Sequence, residues 1–120
     1  MKTKTGKIIS WLLTGIIALI FIASAIFKLT GGNPEMVQGL GGATNLTILG
    51  VLELIIVALF LYTRTGVVGS LLMIAYMGGA MAVHFVTGQS LGVVLITQIL
   101  IWIAAAVRFP EITKRLIVKA

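Results

Sequence analysis

Apolar residues run almost without interruption over residues 8–29, 46–62, 67–87 and 91–107, with short polar connections between them. Each run reaches the roughly 17 to 25 residues with which a helix crosses a hydrocarbon core. Lipid offers the backbone no hydrogen-bond partner, so a spanning segment must satisfy its own N–H and C=O groups, as a helix does; four strands cannot close a barrel. The runs therefore predict an all-α polytopic membrane protein, an antiparallel four-transmembrane-helix bundle forming a single domain over residues 1–120. The basic start, the first run and Ala23-Ser24-Ala25 also resemble a cleavable signal peptide. That run outlasts the usual signal core of about 7 to 15 residues, so it is read as a retained span.

The connections carry their own signals. Residues 31–45 form the longest, and Asn33-Pro34-Glu35 supplies a capping side chain, a proline for the first helical position and an acid for the first turn. A short helix over residues 34–39 is expected, laying Met36, Val37 and Leu40 across the mouth of the bundle as a lid or interfacial loop, with Gly39, Gly41 and Gly42 ending it. Thr63-Arg64-Thr65-Gly66 is a tight turn that makes the second and third spans antiparallel neighbours. Phe109-Pro110-Glu111 stops the fourth span and starts an interfacial tail over residues 109–120. In it Ile112, Leu116 and Ile117 are expected to face lipid, and Lys114, Arg115 and Lys119 to meet headgroups. Ala75-x-x-x-Gly79 and Gly78-x-x-x-Ala82 are expected to let helices approach closely.

Composition narrows the class further. Of 120 residues, 59 % are hydrophobic and 10 % charged, and the mean hydropathy is +1.17. A soluble domain carries about 25 % charged residues, so a soluble enzyme, a disordered tail and a nucleic-acid reader are excluded. The net charge of +6 is an orientation signal. Lys2, Lys4, Lys7, Arg64, Arg108, Lys114, Arg115 and Lys119 all fall on one side, leaving Lys28 alone on the other. By the positive-inside rule both termini are expected in the cytoplasm, with the chain in the bacterial inner membrane. There are no cysteines, which removes disulfides, thiolate nucleophiles and Fe–S ligation.

Ionisable groups at membrane depth are costly and normally face the bundle interior, so they mark candidate sites. Lys28, Glu53 and His84 are the three; Gln98, Ser24, Ser70, Tyr76 and Thr97 are weaker company. Side chains lean toward the N-terminus of their own helix. Lys28 and His84, near the outer ends of rising helices, thus lean inward, while Glu53 and Gln98, about 11 Å deep on descending ones, lean outward. All four can converge in the outer half, with Ser24 on the face of Lys28 and Gly50 leaving space beside Glu53. Each also has a structural reading: a snorkelling Lys28, a satisfied interfacial His84, a Lys28–Glu53 ion pair, a Gln98 that glues helices, a Met73-Met77-Met81 stripe that packs the core. One histidine cannot give bis-histidine haem ligation, and His84 with Glu53 gives too few metal ligands, so no metal is expected. No nucleophilic triad is visible. Donation to a carbonyl by Lys28 or His84, and proton relay by Glu53 or His84, are chemically open.

Phe21-x-x-Ser24-Ala25-x-x-Lys28-Leu29, Leu40-Gly41, Ile48-Leu49-Gly50-Val51-Leu52-Glu53-Leu54 and Met77-x-Gly79-Ala80-x-x-x-His84 together resemble the DoxX-like family of small bacterial membrane proteins. The resemblance implies a four-helix bundle and maps the family's polar positions onto Lys28, Glu53 and His84. Some relatives are subunits of a thiosulfate:quinone oxidoreductase and others join redox-stress complexes. The resemblance thus implies a quinone-associated or redox-complex subunit, with quinone as ligand, no intrinsic cofactor, and a redox protein or a second copy as partner. Two other classes stand beside it: a small proton-coupled multidrug-type transporter using Glu53, and an assembly partner whose polar cluster is an internal clamp.

Overall fold

In a computed structural model, residues 4–116 are described, and they are all-α. Four long helices, α1 (Lys4–Leu29), α3 (Ala43–Leu61), α4 (Gly66–Val86) and α5 (Gly92–Arg108), alternate in direction, with short helices α2 (Pro34–Gly39) and α6 (Pro110–Leu116) after the first and last. Three helical stretches, Lys4–Leu29, Ala43–Leu61 and Thr63–Val86, are long and apolar enough to cross a membrane; the 17-residue α5 is a shorter apolar helix. α1 packs against α3 and α5, and α4 packs against the same two, closing a ring. The chain is a multi-pass membrane helix bundle.

α1 and α3 begin before their apolar runs. α1 takes up Lys4 to Lys7, and α3 begins at Ala43, directly after Gly41 and Gly42 turn the chain at φ 90° and 123°. α2 starts as its cap dictates, the Met36 N–H donating to Asn33 Oδ1 at 2.7 Å. A single 3-10 turn, Thr63–Thr65, joins α3 to α4.

The core is built from Ile17 and Phe21 of α1, Ile56 and Phe60 of α3, Met73 and Met77 of α4, and Ile101 and Ala104 of α5. Outward faces are equally apolar: Leu19, Ile48, Leu71 and Ile96 are each more than half exposed, as lipid allows. Met73 and Met77 do pack the core, and Met81 lies against it.

Two packing expectations are corrected. Ala75, Gly78, Gly79 and Ala82 are all exposed, and a Cβ on Gly78 or Gly79 would meet nothing within 4 Å. Close approach occurs instead at Gly69, where a Cβ would overlap the Phe60 backbone, because the three-residue turn draws α3 and α4 together there. Ile112 does not face lipid. It is buried with Ala105 and Phe109 beneath α6, since the chain folds back at Pro110. The expectations for Lys2, Ile117 and Lys119 lie outside the described residues.

The same end of the bundle is tied by Arg108. Its Nη1 donates to the Phe60 carbonyl at 2.5 Å and its Nη2 to the Leu61 carbonyl at 2.9 Å, satisfying the open C-terminus of α3. The guanidinium carbon lies 5.3, 5.1 and 4.8 Å from the ring centres of Trp11, Phe60 and Phe109.

Candidate functional site

At the other end, the ring of helices opens into a cavity of about 560 Å³, roofed by Met36 and Gly39 of α2 and by Leu40 just after it. Its polar focus is Glu53, which α3 points inward and which is 1 % exposed. Three groups converge on Glu53 Oε1: Lys28 Nζ at 2.5 Å, the Tyr76 hydroxyl donating at 2.5 Å, and the Ser24 hydroxyl donating at 3.2 Å. Lys28 Nζ also donates to Ser24 Oγ at 2.6 Å. The i to i+4 spacing of Ser24 and Lys28 puts both on the α3-facing side of α1. Burying a charge this deeply requires a partner and further hydrogen bonds, and the carboxylate has both. Its second oxygen, Oε2, accepts from no described residue and is not sealed from the cavity.

His84 lines the same cavity nearer its mouth. Its Nδ1 lies 2.7 Å from the Ala80 carbonyl, which can only accept, so Nδ1 carries the proton and Nε2 is left for another partner. No hydrogen bond joins His84 to the Lys28–Glu53 cluster among the described residues, so the cavity has two separate polar poles. The rest of the lining is mostly apolar, with Phe21, Leu49, Met77, Ala80, Val83 and Val94, and also includes Asn33, Glu35, Gln89 and Thr97.

The structure brings Lys28, Ser24 and Glu53 together, sets His84 on the same cavity, and leaves Gln98 out. Gln98 Nε2 donates to the Ile74 carbonyl at 3.1 Å, joining α5 to α4, and its buried Oε1 has no partner among the described residues. Thr97, one position earlier, lines the cavity instead. Thr97 and Ser70 donate to Val93 and Gly66 of their own helices. Gly50 does not leave space beside the carboxylate either. A Cβ there would lie 3.0 Å from Leu29 and 3.2 Å from the Ala25 carbonyl, so Gly50 brings α1 against α3. Tyr76 is the member that sequence reasoning placed too low. Its signal is positional: Tyr76, Ala80, Val83 and His84 follow helical i, i+4, i+7, i+8 spacing, and all four line the cavity.

The family model for the DoxX-like family matches residues 12–107. The chain belongs to the DoxX-like family. The match runs from within α1 to within the last turn of α5 and includes Ser24, Lys28, Glu53, Tyr76 and His84. Neither the curated proteins nor the solved structures contain a match to the chain.

Proposed function

We propose that this DoxX-like protein is an inner-membrane subunit of a quinone-linked redox complex, and that its cavity holds the carbonyl-bearing ring of a quinone while a partner protein supplies the electron chemistry. The reading is carried by the cavity: about 560 Å³, within the roughly 300 to 1,000 Å³ of small-molecule sites, apolar over most of its wall, with the Lys28–Glu53 cluster and His84 as separate polar groups on it. A quinone ring has two carbonyl oxygens at opposite edges with apolar faces between. At the deep pole Lys28, whose ammonium has a third N–H beyond those on Glu53 and Ser24, supplies the donor. His84 Nε2 serves the other pole, accepting from a hydroquinone O–H, or donating to a carbonyl when the ring is protonated. A bound quinone would supply a carrier of two electrons and two protons; this chain orients it and excludes water from it.

The same reading puts both termini in the cytoplasm. It is supported by Lys4, Lys7, Arg64, Arg108, Lys114 and Arg115, which sit at the end of the bundle opposite the cavity.

The test is thermal unfolding of purified protein with a decyl-tailed benzoquinone. Saturating ligand is expected to raise Tm by several degrees, and His84→Ala is expected to remove the rise while leaving the unliganded Tm nearly unchanged. An unmoved wild-type Tm at saturation overturns the proposal.

One observation favours a second reading, an internal clamp without ligand: Lys28, Ser24, Tyr76 and Glu53 satisfy one another. It predicts strong mutual dependence of these side chains and no response to quinone.

A further inference from the structure

The two ends of α4 differ in how closely they are packed. Near the 3-10 turn, Gly69 is pressed so tightly on α3 that a Cβ would overlap the backbone of Phe60. Ten residues along α4, about 15 Å, a Cβ on Gly79 would meet nothing within 4 Å. Gly79 follows Tyr76 by three positions and Ala75 by four, so these residues share the edge of α4 that carries the hydrogen bond to Glu53 of α3. Ala75 and Gly79 are exposed on the helix, and both also line the cavity, opposite Leu49 and Glu53.

Depth decides what this opening meets. Ala75 lies near the middle of α4 (Gly66–Val86), about 16 Å from the end of the helix at Val86. That is roughly half of a hydrocarbon core about 30 Å thick. Exposure there is exposure to acyl chains. The cavity walls carry no uncompensated charge at this level, because Lys28 and Glu53 neutralise each other at 2.5 Å.

We infer that the cavity has a lateral portal between α3 and α4, floored by Ala75 and Gly79, through which a neutral, lipid-soluble ligand enters from the bilayer and leaves its tail in the hydrocarbon. This rests on the ligand-binding reading above and deepens it. The headgroup lies against Tyr76 and Glu53, the tail passes over Gly79, and α2 closes the aqueous side. An ionic substrate is disfavoured by a route through lipid. The missing side chain at Gly79 is the sill of the portal, and bulk there blocks passage without touching either polar pole.

The chain's lack of cysteine gives a clean test. Ala75→Cys and Gly79→Cys, each bearing a nitroxide and reconstituted in phosphatidylcholine–phosphatidylglycerol vesicles, are read for collisions with oxygen and with a water-soluble nickel chelate. High oxygen and low nickel accessibility at both positions is expected. High nickel accessibility at either would mean a water-filled vestibule entered past α2, and low values of both would mean a closed seam; either overturns the portal. In a second arm, Gly79→Leu is expected to weaken binding of the decyl-tailed benzoquinone roughly tenfold and to leave binding of the tail-less ring within about twofold. Equal weakening of both, or of neither, overturns the tail route. Should the wild type bind neither ring, the quinone reading falls, and the collision measurements alone then decide the portal.

Discussion

Glu53 receives an ammonium and two hydroxyls on one oxygen while the other borders the cavity, so it has one structural and one available side. Glu53→Gln keeps the volume and removes the charge, leaving Lys28 at 11 % side-chain exposure without its counterion. The expected loss is about 3 kcal/mol of stability, read by thermal or denaturant unfolding in detergent. Lys28→Met should recover part of it in the double variant, with coupling of about 1 to 3 kcal/mol in the cycle. Additive losses would mean the two groups do not hold each other. Tyr76→Phe removes one charge-assisted hydrogen bond and should cost about 1.5 to 3 kcal/mol by the same assay. His84, part-exposed and with its side chain bonded only to its own helix among the described residues, should change stability least and ligand response most.

At the scale of helices, glycine has opposite meanings on one element. Gly69→Ala must push α4 off the Phe60 backbone, a clash that no rotamer relieves. The variant should lose more than about 2 kcal/mol, or fail to pack. Gly78→Ala, with open space around it, should gain about 0.5 to 1 kcal/mol by restricting the unfolded chain. Equal effects in unfolding measurements would contradict the difference in packing along α4. The sequence could not distinguish these glycines, for a reason peculiar to membranes: lipid-facing and core-facing positions are both apolar, so the pattern reveals spans but scarcely which face turns inward. Glu53, Lys28 and Ser24 were legible because a carboxylate in an apolar run must find a cation and donors. Gln98 was misplaced by one position, about 100° of rotation; Val94, Thr97, Ile101 and Ala104 carry the inward face of α5. Tyr76 was undervalued because its ring is at home on any apolar surface, and only the fold brings its hydroxyl to Glu53. Arg108 read as one more interior-side charge, since nothing local announces that it will cap α3 across the bundle.

Over the whole molecule, the two ends divide the work. One end is welded by Gly69 on Phe60, by Phe109 over Gly66 and by Arg108 on the carbonyls of α3, and carries the basic residues. The other holds the cavity and has Lys28 as its one lysine or arginine among the described residues, paired to Glu53. A charge bias of this kind resists translocation of the basic end, so the welded end should lie in the cytoplasm and the cavity end should face outward. Single cysteines in the cysteine-free chain read this directly. In intact cells, Gln38→Cys on exposed α2 should react with a membrane-impermeant maleimide, and Thr63→Cys in the turn before α4 should react only after permeabilisation. The reverse labelling would invert the molecule, and comparable labelling of both in intact cells would mean dual insertion. Either result would separate the charge pattern from the direction in which the cavity opens.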